Sequence, residues 1–313
     1  MLGKTAGGLY WMFRFLERSE NIARLVEAGS RIALTRSQDT QTEWKSIVTT
    51  AAVRSNYSAK YDTFEGSNVV DFLLRDKDNP SSVISVVENA RTNARMVRTA
   101  LTTEVWEAVN ENWMTLKDLL KRPVKETELP SVLGTIRQQS ALVRGALHGT
   151  MLRNDIYDFA RLGTFIERAD STARIIDVKY YTLLPSASFI GSSLDNVQWD
   201  MILRSVSAHR SFNWLSENDV NASSIAEFLI LDRRLPRSLI FCTSQVNENL
   251  SFLAENYQQT LPSNELSDAL RTQLRKPSIN EIFEIGLHQF IGDYIQKNNE
   301  LGMQIEKDYR FNQ

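Results

Sequence analysis

Apolar residues recur three or four positions apart through most of the chain, which is the spacing of one face of an α-helix. In the first such segment, one side of a helical wheel carries the apolar residues Leu9, Met12, Phe15, Leu16, Ile22, Ala23 and Val26. The opposite side carries the polar residues Arg14, Glu17, Asn21 and Arg24. The pattern predicts a strongly amphipathic first helix.

The same spacing predicts further helices over residues 81–101, 104–120, 131–151, 155–183, 194–215, 225–231, 237–256 and 279–307. Prolines mark the ends of several segments, and the sequences Pro262-Ser263 and Pro277-Ser278 predict a helix stop followed by a serine cap. No alternating pattern typical of strands competes with these helices. The fold class predicted is all-α, a multi-helix bundle of roughly ten to thirteen helices.

The best candidate for a break between two halves is the segment 186–193, which is rich in serine and glycine. It is short, so it indicates an internal loop rather than a linker between domains. We therefore predict one helical domain over residues 1–313.

The chain contains an internal duplication, with pseudo-repeats centred on residues 9–27 and 159–177. A shift of 150 positions places Glu17-Arg18 on Glu167-Arg168 and Ala23-Arg24 on Ala173-Arg174. The copies differ where Arg14 aligns with Thr164. A weaker match to the motif at residues 88–91 includes Arg91.

Two interpretations of the repeated charges stay open. They can be solvated faces or inter-helix ion pairs, each exposed pair contributing about 0–1 kcal/mol. Alternatively, the two helices pack together and bring Arg18, Arg24, Arg168 and Arg174 to Glu17 and Glu167 in one polar cleft. Arginine forks suit carboxylate or phosphate, so such a cleft would bind an anion. Because Thr164 replaces the arginine in the second copy, we expect the N-terminal copy to bind more strongly.

A second basic stretch follows the apolar run 228–231 and contains Asp232, Arg233 and Arg237 around Pro236. A loop leading into a helix start favours anions. The alternative is an exposed corner in which the proline only sets the turn.

Charge and composition exclude several functions. The 36 basic and 38 acidic residues nearly cancel, so no net field favours nucleic acid or an anionic membrane. The longest apolar runs are too short to span a bilayer, and no secretory leader is evident. The single cysteine, Cys242, suits a reducing cytoplasm and is predicted to be buried. The three separated histidines predict no metal site, and no residue pattern indicates a cofactor.

Residues 9–24, 88–91, 163–180 and 228–242 resemble the bacterial alpha-E family, a helical family of unassigned function named for its Glu-Arg motif. Phe13 and Thr164 depart from the family pattern, since a small residue and an arginine are expected there. The resemblance implies an intracellular bacterial protein encoded beside ATP-grasp-like ligases and transglutaminase-like proteins, which are the possible partners. It thereby implies a role in forming or modifying peptides.

The leading hypothesis is a binding or scaffolding component of such a ligase system, with an arginine- and glutamate-lined cleft for an anionic small molecule, a peptide or an acidic partner segment. One alternative is an enzyme acting on an amide or acyl-phosphate bond with Glu17 and Glu167 as acid and base. Another is a purely structural helical partner protein. The candidate ligand-binding residues are Arg14, Glu17, Arg18, Arg24, Arg91, Glu167, Arg168, Arg174, Asp232, Arg233 and Arg237.

Overall fold

The computed structural model describes residues 1–35, 40–182, 193–215 and 221–312. These residues form α-helices and no strand, which confirms the all-α prediction, and they form fifteen α-helices rather than ten to thirteen. The helices are α1 (Gly3–Thr35), α2 (Thr40–Thr50), α3 (Arg54–Ser58), α4 (Gly66–Leu74), α5 (Val83–Met96), α6 (Thr103–Leu119), α7 (Leu129–Thr150), α8 (Asp155–Thr182), α9 (Ser193–Ser205), α10 (His209–Asn213), α11 (Ala222–Leu231), α12 (Leu239–Tyr257), α13 (Pro262–Arg275), α14 (Ile279–Ile285) and α15 (Leu287–Asp308).

The two repeat helices, α1 and α8, pack against each other at the centre of the fold. Helices α5 and α7 cover other sides of α1, while α12 and α15 cover α8. A Cβ at Gly163 of α8 would clash with the backbone carbonyl of Tyr10 in α1. This glycine therefore permits the close approach that brings the two Glu-Arg motifs within side-chain reach of each other.

Several polar residues of α1 are buried, so of the interpretations left open by the sequence the solvated face does not apply to them. Glu17, Glu20 and Asn21 are only 1%, 0% and 4% exposed. They lie under α7, α8 and the turn before α12, whose arginines supply partners for their oxygens. Charged residues stay buried here because they are paired.

Two predicted helices are each divided in the structure. Segment 279–307 breaks at Gly286, where a φ of 102° requires a residue without a side chain. Segment 194–215 breaks between α9 and α10 at Ser207, which has a φ of 56°. Periodicity also failed to predict helices α2, α3 and α4.

One of the two predicted serine caps is correct. Ser278 caps α14 by accepting a hydrogen bond from the Glu281 N–H at 3.4 Å. Ser263 instead lies inside α13, where Pro262 is the first helical residue and Asn264 accepts a hydrogen bond from the Leu261 N–H. The predicted break at 186–193 lies largely outside the described residues.

Two further predictions concern Cys242 and the membrane. Cys242 is fully buried in α12, as predicted. Among the helices described, none has both the length and the apolar character needed to cross a membrane.

Candidate functional site

The two Glu-Arg motifs pair with each other across the α1–α8 contact. Arg168 donates to Glu17 from Nε at 2.9 Å and from Nη2 at 2.8 Å. In return Arg18 donates to Glu167 from Nε at 2.6 Å and from Nη2 at 3.0 Å. Both pairs are two-pronged, the geometry in which an arginine–carboxylate pair is strongest. Because consecutive helical residues lie about 100° apart, the two pairs occupy different sides of α1.

On one side lies a buried network in which Glu17 and Glu20 meet four arginines. Those arginines are Arg24, Arg144, Arg168 and Arg237. Arg237 bridges the two carboxylates, since it donates to Glu17 at 3.2 Å and to Glu20 at 2.6 Å. Arg24 also donates to Glu20 from two nitrogens, at 3.0 and 2.6 Å. The network therefore has two more positive than negative groups.

Burial and the neighbouring charges shift the pKa values of Glu17 and Arg237 in this network. Burial alone would raise the pKa of Glu17, but Arg168, Arg237 and Arg144 outweigh it and hold that pKa well below its ordinary range. Burial and the neighbouring Arg24 lower the pKa of Arg237 to about 10. The adjacent Glu17 and Glu20 oppose this shift but do not cancel it. Glu17 and Arg237 are therefore both charged at neutral pH.

On the other side of α1 lies an open concave site of about 190 Å³, which we call the α1–α8 cleft. Its charged lining consists of Arg14, Arg18, Arg174, Glu167 and Asp170. Its other polar lining residues are Asn21, Thr50, Ser81, Ser171 and Asn299.

The cleft arginines are held in place by the two carboxylates. Arg14 donates from Nε to Glu167 at 3.0 Å, and its guanidinium lies 4.6 Å from the Trp11 ring centroid. Arg174 donates from Nε to Asp170 at 2.7 Å. Burial would raise the pKa of Glu167, but Arg18 and Arg14 outweigh it and lower that pKa to about 2.

Several polar groups of the cleft are left over after this pairing. Within the described part of the chain, Arg174 uses only Nε on Asp170 and keeps both Nη groups. The Nδ2 group of Asn21 and the Oδ1 atom of Asp170 are buried and have no hydrogen-bond partner among the described residues. The cleft thus presents the spare guanidinium donors of Arg174, whereas the unpaired Asn21 and Asp170 atoms lie beneath its surface.

The residues predicted to line a single cleft lie in two separate groups in the structure. Arg14, Arg18, Glu167 and Arg174 line the α1–α8 cleft. The members Glu17, Arg24, Arg168 and Arg237 belong to the buried network instead. Glu17 and Glu167 therefore do not form a common acid–base pair.

Sequence reasoning missed Arg144, which forms ion pairs with Glu17 and Glu20 from α7. No repeat or motif marks this arginine. Asp170 and Glu20 carried a signal, because each precedes an arginine of the motif by four residues.

Three predicted site residues lie elsewhere. Arg91 donates to Asn110 at 2.8 Å and stacks on Trp113, so it faces α6. Asp232 is paired with Arg234 at 2.7 Å, and Arg233 is exposed at the same corner. Of the charged residues in that stretch only Arg237 is buried. Asp232 and Arg233 line a separate pocket away from the α1–α8 cleft.

Comparison with known proteins places the chain among uncharacterised relatives. A family model described as "a predicted alpha-helical domain with a conserved ER motif" matches residues 1–309. One uncharacterized protein of Mycobacterium bovis and two of Mycobacterium tuberculosis are each 22% identical over 304 residues. That alignment covers 90% of this chain but 33% of each relative, so the chain spans about a third of their length. No solved structure matches the chain.

Proposed function

Because the chain belongs to the Alpha-E family, we propose that it is a binding or scaffolding component of a peptide-ligase-type system. Its α1–α8 cleft would hold the anionic group of an acidic peptide, an acidic small molecule or an acidic segment of a partner. An ATP-grasp-like ligase or a transglutaminase-like protein is the partner expected from the resemblance. The observation that supports this role is the set of spare arginine donors in the α1–α8 cleft.

The chemistry of the cleft favours an anionic ligand. A carboxylate on the ligand would match the free Nη groups of Arg174, since an arginine fork binds carboxylates by parallel hydrogen bonds.

The enzyme alternative has less support at these residues. A general acid needs a pKa near the working pH. The pKa values of Glu17 and Glu167 are both held far below neutral by arginines, even though burial acts in the opposite direction. Neither carboxylate is therefore protonated at neutral pH, as a general acid must be.

The purely structural alternative is favoured by one observation, the reciprocal pairing of Glu17 with Arg168 and Arg18 with Glu167. In that case the arginines serve only to join the repeats. The two roles differ in what removal of Arg174 does, because this arginine takes no part in the reciprocal pairs.

Calorimetric titration with acidic, neutral and basic dipeptides tests the proposal. We expect a dipeptide of two glutamates to bind the wild-type protein and to bind Arg174→Gln about tenfold more weakly, because one charge-assisted contact is lost. Arg95→Gln is the matched control, since Arg95 is exposed on α5 and lies outside the cleft.

Equal binding of the acidic dipeptide by all three proteins would contradict the cleft assignment. Absence of saturable heat with every dipeptide, together with lowered stability of Arg18→Gln, would favour the purely structural role.

A further inference from the structure

A second arginine-lined pocket lies near the carboxyl-terminal half of α1, where α7, α9 and α10 meet it. The space measures about 360 Å³, which is in the size range of small-molecule sites. Its basic lining residues are Arg31, Arg137, Arg204, His209 and Arg210. We call it the α9 pocket. It shares no lining residue with the α1–α8 cleft.

The carboxylates at the α9 pocket do not balance its arginines. Glu27 is already shared, accepting from Arg31 at 2.8 Å and from Arg137 through its second oxygen. Asp200 is shared between Arg204 at 2.7 Å and His209 at 3.0 Å. Among the described residues, the four guanidinium groups of the pocket therefore outnumber the two carboxylates, and each carboxylate oxygen already has a partner.

Arg210 is the clearest part of this excess. It lines the pocket, is exposed and makes no ion pair within the described part of the chain. Arginine brings five donors in a fixed planar arrangement. Because no carboxylate of the described residues pairs with it, this arginine at the rim of a concave basic site is available to a ligand.

The buried network adds charge and a hydroxyl to the same pocket. Arg24, whose guanidinium binds Glu20, also donates to the hydroxyl of Ser207. Ser207 lines the α9 pocket and holds a left-handed backbone conformation with a φ of 56°. Because its oxygen accepts from Arg24, its hydroxyl hydrogen is left to donate toward the pocket.

The excess of two positive charges favours a dianion over a single carboxylate. A phosphate group carries about −1.5 to −2 charges at neutral pH and offers three acceptor oxygens. Apolar surface is present as well. Ala28 and Met201 line the pocket and also a neighbouring, partly open cavity of about 40 Å³. A phosphate joined to a small, partly apolar organic group fits this combination.

We propose that the α9 pocket binds a phosphorylated small molecule of about mononucleotide size, with its phosphate on Arg137, Arg204, Arg210 and the Ser207 hydroxyl. This site is separate from the α1–α8 cleft and does not depend on the function proposed for it.

Calorimetric titration of the full chain with pyrophosphate, ADP and citrate tests the site. We expect pyrophosphate and ADP to bind, and citrate, a carboxylate anion of comparable charge, to bind about tenfold more weakly. Arg210→Gln is expected to weaken phosphate binding about tenfold, because one charged contact is lost. Its stability should not change, since Arg210 makes no ion pair with any residue that the structure describes.

Two control variants locate the site. Arg122→Gln alters an exposed arginine outside the pocket, and Arg174→Gln alters the α1–α8 cleft. Both are expected to bind pyrophosphate as the wild type does. Tighter binding of ADP than of pyrophosphate supports use of the apolar surface, whereas equal binding supports recognition of the phosphates alone.

Three results would overturn the proposal. They are the absence of saturable binding by either phosphate compound, equal loss in Arg210→Gln and Arg122→Gln, and loss in Arg174→Gln without loss in Arg210→Gln. Citrate binding as tight as that of pyrophosphate would overturn the phosphate class.

Discussion

Replacing Glu17 by glutamine removes a single charge from the centre of the molecule while keeping the shape of the side chain. The carboxylate is 1% exposed and accepts three hydrogen bonds from Arg168 and Arg237 at 2.8–3.2 Å. The glutamine oxygen retains part of this bonding, but its amide nitrogen is a donor facing other donors. Arg168 would then lose its carboxylate partner, and Arg144 and Arg237 would share Glu20 with Arg24.

Breaking a buried ion pair by removing one partner costs roughly 3–5 kcal/mol, because the remaining charge is left buried without compensation. Total stabilities of about 5–15 kcal/mol are usual. Glu17→Gln should therefore stay folded in buffer yet lose roughly 3–5 kcal/mol in its free energy of unfolding. Urea unfolding followed by circular dichroism measures the loss from the midpoint and slope.

Glu88→Gln is the matched control, because its carboxylate is half exposed and lies 3.9 Å from Lys77. An exposed pair of this kind contributes about 0–1 kcal/mol. A loss below about 1 kcal/mol in Glu17→Gln, equal to that of the control, would refute the view that buried charge pairing stabilises the α1–α8 contact.

Two further predictions concern pH and packing. The folded pKa of Glu167 is about 2 against an ordinary 4.5, so its stabilising effect is complete above pH 4.5 and is lost as the pH falls toward 2. We expect this group to contribute roughly 3 kcal/mol of acid-dependent stability, so unfolding of Glu167→Gln measured between pH 5 and 3 should depend less on pH. A slope as steep as that of the wild type would contradict this. Gly163→Ala should destabilise by roughly 1–3 kcal/mol, because its Cβ meets the Tyr10 carbonyl. Gly145→Ala, where a Cβ meets nothing within 4 Å, should stabilise by about 0.5–1 kcal/mol. Thermal unfolding of both variants checks the opposite signs, and destabilisation by both would contradict the role of Gly163.

Local signals in the sequence predicted local structure well. The three-to-four spacing identified α1 and α8, and the serine after Pro277 correctly marked the cap of α14. The sequence predicted one continuous helix across Gly286, because the three-to-four spacing of apolar residues continues after this glycine. Backbone conformation rather than hydropathy ends the helix at that glycine.

Burial of charge could not be predicted in the same way. Hydropathy assigns Glu17, Glu20 and Asn21 to a solvated face, since it cannot distinguish a charge in water from one paired inside the fold. Arg144, the partner of Glu17 and Glu20, comes from α7, more than 120 residues away. Only the tertiary arrangement brings it to them.

The sequence indicated which residues belong to the candidate site, but it did not indicate how their side chains are arranged in space. The 150-residue repeat singled out Arg18, Glu167 and Arg174, which line one cleft together with Arg14. The similarity of 88–91 to the motif also suggested Arg91, but that side chain points toward Asn110 and Trp113 on α6. A motif match does not determine which neighbour its helix face meets.

Pairing of the two Glu-Arg motifs across the α1–α8 contact is tested most directly by a double-mutant cycle on Arg18 and Glu167. The free energies of unfolding of the wild type, Arg18→Met, Glu167→Gln and the double variant give the coupling between the two side chains. With hydrogen bonds of 2.6 and 3.0 Å between side chains that are 26% and 6% exposed, we predict a coupling of about 1–3 kcal/mol. Additive effects, within about 0.5 kcal/mol, would contradict the pairing.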